Sequence, residues 1–171
     1  MKQLRGKEVR KFFKDFPKRD KDIVVVLENI QYATNVANIF RTAESAGVEK
    51  VISTGITKIP PFGKDLKKVS RSSENKVSHE YYLKTLDILP EIKRQGYTVI
   101  AVELTDSSIM LSDLKDYLKN KNKICFVVGN EDSGVNRTTL ELCDSAVMIP
   151  MYGKNASLNV NVSAGIILFS F

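Results

Sequence analysis

Tryptophan is absent from the 171 residues, histidine occurs once and cysteine twice. Each scarcity removes a class of chemistry. The single histidine, His79, sits in a polar stretch with no Cys or Asp partner nearby, so it reads as a surface residue rather than a catalytic base. Cys125 and Cys143 lie 18 positions apart, with no CxxC pair and no second ligand cluster, so no zinc or other metal is expected. Their apolar neighbours mark them as reduced, buried thiols. No apolar run approaches the roughly 18 residues that span a bilayer. The opening MKQLRGKEVRKFF lacks the apolar core of a signal peptide, so a cytoplasmic protein without a membrane partner is expected. Neither GxGxxG nor GxxxxGKS/T occurs, which removes the phosphate cradles of dinucleotide and P-loop folds. Asn130, Asp132 and Glu141 match positions 1, 3 and 12 of a calcium loop, but Val135 stands where that loop needs glycine.

What is present is the composition of a soluble globular protein, 43% hydrophobic and 27% charged. No internal repeat, low-complexity tract or linker divides the chain. One domain over residues 23–171, preceded by a basic extension over 1–22, is expected, large enough to bury about two thirds of its unfolded surface. Twenty-six Lys and Arg against twenty Asp and Glu leave a net charge of +6, compatible with a polyanionic partner. The basic residues crowd into KEVRKFFKDFPKRDK (7–21) and GKDLKKVSRSSENK (63–76). Such clusters are solvated faces or nucleic-acid surfaces. Phe12, Phe13 and Phe16 suit either stacking on bases or anchoring a terminal helix to the body.

Short β-branched runs alternate with helical stretches. IVVVLE (23–28), KVIST (50–54), YTVIAVEL (97–104), ICFVVG (124–129) and SAVMIP (145–150) read as buried strands without internal Gly or Pro. TNVANIFRTAESAG, KTLDILPEIKRQG and NRTTLELC read as helices, the first two ending at a glycine suited to a C-cap. Alternation of this kind predicts an α/β domain built on a parallel sheet covered on both faces.

Two elements stand out chemically. In the helix from Asn35 to Ala46, Val36, Ile39, Phe40 and Ala43 form a core-facing stripe. Asn35, Asn38, Arg41, Thr42 and Ser45 form a second stripe with no lysine or carboxylate. Solvated faces are usually rich in Lys and Glu, so this stripe suits packing against polar groups or a ligand, with Asn35 alternatively a helix cap. The second element is FVVGNEDSGVNRTTLELC, a strand running into a turn and a helix. Ligands in open α/β sheets bind beyond the carboxyl ends of strands, where Gly129, Asn130 and Glu131 fall. Glu131 is alternatively a cap of the helix that follows.

Together with these, SAVMIPMYGKNASLNVNVSAG completes a set. NVANIFRTAESAGV, FVVGNEDSGV and VMIPMYGKNASLNVNVSAG resemble, in order and spacing, the three motifs of the SpoU/TrmH branch of the SPOUT RNA methyltransferases. The resemblance covers roughly residues 23–171. It implies a SPOUT fold with a deep C-terminal trefoil knot, S-adenosylmethionine as cofactor, and a homodimer whose active sites draw on both subunits. The expected reaction is methylation of a ribose 2′-hydroxyl in structured RNA, a tRNA more than an rRNA. By motif, Gly129, Ile149, Met151, Ser157 and Leu158 are expected to line the cofactor pocket. Arg41 is the expected catalytic residue, with Asn35, Glu131 and Asn159 as substrate-binding residues around it and Glu131 orienting it or closing the pocket. The separate N-terminal RNA-binding domain of many members is missing, and relatives often continue beyond the position of Phe171, so a weakened dimer packing is expected.

The chemistry constrains Arg41. A ribose hydroxyl is a weak nucleophile and needs alignment and help in losing its proton. A guanidinium in free solution has a pKa of about 12.5, so service as a literal base near neutral pH costs roughly 7 kcal/mol. The alternatives are a base assisted by its surroundings and an electrostatic stabiliser of the developing alkoxide. A function of another class, a catalytically silent knotted RNA-binding or assembly protein, is disfavoured by the presence of Arg41, Glu131, Ser157 and Asn159 together. Finally, SLNVNVS (157–163) alternates like an edge strand, yet the resemblance implies a helix buried on most sides that presents Ser157, Asn159 and free N–H groups at its first turn.

Overall fold

The runs IVVVL (23–27) and ICFVV (124–128) are apolar at every position because both of their faces are covered. The computed structural model describes residues 1–171. Seven strands, β1 (Asp22–Glu28), β2 (Lys50–Thr54), β3 (Ser78–Tyr82), β4 (Thr98–Val102), β5 (Ile109–Met110), β6 (Lys123–Val128) and β7 (Ser145–Met148), form one sheet in the order β3-β2-β1-β6-β4-β7-β5. Every pairing is parallel. The helices are α1 (Lys7–Lys14), α2 (Ala33–Ala46), α3 (Lys64–Ser70), α4 (Thr85–Arg94), α5 (Leu114–Tyr117), α6 (Arg137–Leu140) and α7 (Val160–Leu168).

Successive side chains of a strand point to opposite faces, and the core divides accordingly. Ile23, Val25, Leu27, Ile124 and Phe126 join the larger core with Val36, Ile39 and Phe40 of α2 and Ala164 and Ile167 of α7. Val24, Val26, Cys125 and Val127 face the other way, against Ile88, Leu89 and Ile92 of α4. The expected two-faced parallel sheet is therefore observed, with α2 and α7 on one side and α4 on the other.

Local signals set several boundaries. Gly47, at φ 72°, ends α2 as expected, and the N–H of Val48 returns to Ala43 O at 2.9 Å. The strand read over 97–104 stops at Val102, because Glu103 turns its carboxylate back to accept from the N–H groups of Leu104 and Val135, each at 3.0 Å. β3 and β5 were not legible as strands. β3 is an exposed polar edge, SHEYY, and β5 has two residues, so neither carries a buried apolar run. His79 lies on that edge, exposed, with its ring 5.9 Å from that of Phe40.

The topology places one crevice. The chain leaves β1 through α2 toward β2, whereas β6 leads through α6 toward β7 on the other side of the sheet. Adjacent β1 and β6 thus form a switch point, beyond whose carboxyl ends an open α/β sheet leaves room for a ligand.

Candidate active site

A cleft of about 850 Å³ opens over the carboxyl ends of β6, β4 and β7. Its floor is made where β6 ends in glycine. A side chain on Gly129 would overlap the backbone of Gly134 and Val135, so glycine is needed for the strand to turn back on itself. Asn130 and Gly134 exchange backbone hydrogen bonds of 3.0 and 2.9 Å. Asn130 Oδ1 accepts from the N–H groups of Asp132 (3.0 Å) and Ser133 (3.1 Å), while its Nδ2 donates to Asn29 O (2.8 Å). Asn130 is thus used in holding the turn.

The turn aims Glu131 at the start of α2. Its carboxylate accepts from the N–H of Gln31 at 2.8 Å, the N–H of Tyr32 at 3.3 Å and Nδ2 of Asn35 at 2.7 Å. An acidic group at a helix N-terminus also meets the positive end of the helix dipole. Partial burial pushes the Glu131 carboxyl upward, but the hydrogen bonds from Asn35, Gln31 and Tyr32 outweigh it and hold its pKa below the ordinary glutamate value. Glu131 therefore caps α2 and not the helix that follows. Glu28 does that work, accepting from the N–H of Asn136 at 2.9 Å and from the hydroxyl of Thr139.

Asn35 is not the cap of α2. Tyr32 holds that position, and Asn35, in the first turn, is buried at 8% exposure. Its Oδ1 accepts from Nδ2 of Asn159 at 3.0 Å, so a continuous chain of hydrogen bonds runs Asn159, Asn35, Glu131. Asn159 is itself the N-cap of α7, its Oδ1 accepting from the N–H of Asn161 at 2.9 Å. About two turns further along α2, Oγ1 of Thr42 donates to Oδ1 of Asn161 at 3.0 Å, tying α2 to α7 a second time. SLNVNVS thus divides: Ser157 and Leu158 remain in the loop, Asn159 caps, and the helix begins at Val160.

The opposite wall is the segment from Ile149 to Leu158. No hydrogen bond joins any of its backbone groups to another part of the protein. Six of its residues, 149–151 and 156–158, line the cleft, and from 152 onward the segment is exposed, so its backbone groups are open to water or to a ligand. Set beside the apolar side chains of Val102, Leu104 and Val147, they suit a ligand with both polar edges and an apolar body.

Of the residues expected from sequence, Asn35, Gly129, Glu131, Ile149, Met151, Ser157, Leu158 and Asn159 all line this cleft. Arg41 does not. It is exposed on α2, six residues beyond Asn35 and hence about 9 Å along the axis. Glu131 therefore does not orient it within one protomer; that carboxylate is taken up by Asn35 and the α2 N-terminus. Glu103 was missed as a site residue, and the signal for it was a carboxylate at the carboxyl end of a strand. It lines the cleft and fastens the turn through Val135.

The sequence profile described as the SpoU rRNA methylase family matches residues 22–169. The tRNA (guanosine(18)-2'-O)-methyltransferase of Aquifex aeolicus is 31% identical over 174 residues, a match covering 95% of this chain and 74% of that protein. The enzyme of the same name from Escherichia coli is 28% identical over 154 residues, covering 89% of this chain and 63% of that protein. Among solved structures, the AdoMet-bound rRNA methyltransferase from Sinorhizobium meliloti superposes with a TM-score of 0.79 at 25% identity, covering 92% of this chain and 58% of that one. The chain thus spans between 58% and 74% of the length of these three relatives.

Proposed function

Because the chain belongs to the SpoU rRNA methylase family, we propose that it transfers the methyl group of S-adenosylmethionine to a ribose 2′-hydroxyl of structured RNA. The observation that carries this is the unpaired backbone of residues 149–151 and 156–158, set along a cleft beside the Asn159–Asn35–Glu131 chain. The names of the Aquifex and Escherichia relatives favour a transfer RNA, and the Sinorhizobium structure keeps ribosomal RNA as the alternative.

When bound, S-adenosylmethionine supplies an electrophilic methyl group on a sulfonium centre, which needs no metal. The backbone groups of 149–151 and 156–158 would hold its polar edges, with Gly129, Ile149, Met151, Ser157 and Leu158 lining the pocket. Val102, Leu104 and Val147 exclude water around its apolar parts. Asn159, Asn35 and Glu131 fix the wall that receives the ribose, so alignment is prepaid in the folded protein. Arg41 acts at the 2′-oxygen, by assisting loss of its proton or by stabilising the alkoxide that develops.

Arg41 stands outside the cleft of its own protomer, which supports a homodimer in which a second copy brings Arg41 to each site. The exposed Val162 and Phe169 on and just beyond α7 offer apolar surface for that pairing. A trefoil knot over the C-terminal segment belongs to the same proposal: α7, last in the chain, is packed against α2 with Val160, Ala164, Ile167 and Leu168 in the core. So does a cytoplasmic setting, where RNA and cofactor meet; no helix is long and apolar enough to cross a membrane.

The test pairs cofactor binding with transfer. Calorimetric titration with S-adenosylmethionine should give saturable heat, and mass spectrometry of RNA incubated with protein and cofactor should locate a 2′-O-methyl nucleotide. Arg41→Ala should keep cofactor affinity and lose transfer by about a hundredfold or more. Unchanged transfer in that variant overturns the role of Arg41. Absence of heat with the wild-type protein overturns the enzyme in favour of a silent RNA-binding protein.

A further inference from the structure

The three phenylalanines of the N-terminal arm anchor nothing. Phe12, Phe13 and Phe16 are 56%, 60% and 57% exposed, and their rings meet one another, with centroids 5.2, 5.7 and 6.3 Å apart. On an α-helical wheel at 100° per residue they share a stripe with Val9, at the i, i+3, i+4, i+7 spacing of a face built to be covered. Val9 is half-buried, but the three rings, two on α1 and Phe16 just beyond its end, are left more than half exposed.

The arm's charge identifies what does. Residues 1–22 carry nine Lys and Arg against four carboxylates, so +5 of the chain's +6 resides there. Arg10 borders the aromatic stripe on the Phe13 side, Glu8, paired with Lys2 at 2.6 Å, borders it on the Phe12 side, and Lys7, Lys11 and Lys14 lie behind it, all exposed. A second copy would set one such basic helix against another, which the like charges oppose. Exposed aromatics on a strongly basic arm are the arrangement that takes unpaired nucleotides, the bases stacking on the rings and the phosphates meeting the cations of the arm.

The arm is also aimed. Its root is pinned where Nη2 of Arg19 donates to Leu168 O at 2.7 Å, with the guanidinium 4.7 Å from the Phe171 ring centroid. Lys21 Nζ donates to Lys121 O at 2.8 Å and to Leu118 O at 3.1 Å. This root lies at the amino end of β1, about 20 Å along that strand from the cleft. Contacts made there supply affinity at a distance from the reacting ribose. An eight-residue helix is marginal by itself, so α1 gains order when its stripe is covered.

We propose that Phe12, Phe13 and Phe16 form a stacking platform for unpaired bases of the RNA substrate, separate from the methyl-transfer cleft, with Arg10 beside the rings and Lys11 on the back of the helix meeting the phosphates. The proposal rests on RNA being the substrate. Its test compares the wild-type protein, the triple variant F12A/F13A/F16A and the double variant R10Q/K11Q for binding of a tRNA transcript and of a single-stranded oligonucleotide across a salt series. The phenylalanine variant should bind both RNAs at least about tenfold more weakly. Its salt dependence should stay that of the wild type, whereas R10Q/K11Q should flatten the salt slope. Hydrogen exchange in residues 7–16 should slow on adding RNA to the wild type only. Calorimetry with S-adenosylmethionine should be the same in all three, showing that the domain is folded. RNA affinity unchanged in the triple variant overturns the platform. If that variant also loses retention on vesicles containing anionic phospholipid, the stripe binds membrane; if it instead lowers the sedimenting mass, the stripe binds a second copy. A wild-type protein that binds S-adenosylmethionine but neither RNA overturns the substrate assignment itself, an outcome distinct from failure of the platform.

Discussion

Nδ2 of Asn35 donates to Oε1 of Glu131 at 2.7 Å, joining the first turn of α2 to the turn after β6 across 96 positions of sequence. Both residues were expected at the site as separate contacts to substrate. Their side chains are instead committed to each other and to Asn159, so they act first by fixing the cleft wall.

Asn35 is therefore the residue whose loss should be felt most widely. Asn35→Ala leaves Asn159 without its acceptor and removes one donor from Glu131 in a part-buried setting, at a cost of about 1 kcal/mol of stability. Asn35→Asp keeps the volume but sets a second carboxylate against Glu131. Thermal melts should rank wild type above both variants, and affinity for S-adenosylmethionine should fall in both. Melts or titrations matching the wild type would show that the hydrogen-bond chain is dispensable.

Acidification should act on the same network. Glu131 has a folded-state pKa below its unfolded value, so its contribution to stability is fully present above the unfolded pKa and is lost as pH falls through the folded one. The cap on α2 should thus survive into the lower part of the ordinary carboxylate range before it fails. In melts taken from neutral into acid solution, Glu131→Gln should remove part of the decline in that window while lowering stability at neutral pH. A wild-type and variant pair with parallel pH profiles would contradict the assignment.

The two thiols should be inert in the folded protein. Burial pushes the Cys143 thiol up to about 12 and the fully buried Cys125 higher still, so almost no thiolate exists at neutral pH. A disulfide-exchange reagent should find neither thiol in native buffer and both in denaturant. Cys125 is buried as expected, whereas Cys143 is only half-buried, packed against the core at its edge, so fast reaction of Cys125 in the native protein would contradict its place in the core.

Apolar content and period determined much of the fold in advance. Runs that are apolar at every position, such as IVVVL (23–27) and ICFVV (124–128), require cover on both faces, and helices between them supply it. Signals of this kind are local, and so are Gly47 at the end of α2 and Gly129 at the end of β6. The edge strand β3 escaped notice because an exposed strand has no apolar run to announce it.

Motif resemblance extended the sequence reading to eight of the nine expected site residues, all of which line one cleft. What the sequence by itself determined was which residue types would be present there. Tertiary structure decided their partners: Glu131 caps the distant α2 and Asn35 bridges it to Asn159, because hydrogen bonds depend on separations of about 3 Å that no sequence spacing encodes. It also decided that Arg41 lies outside its own cleft, since helical rise carries it about 9 Å from Asn35. The phenylalanines of the arm remain exposed for the converse reason: their stripe announces a partner, and the fold of one chain does not provide it.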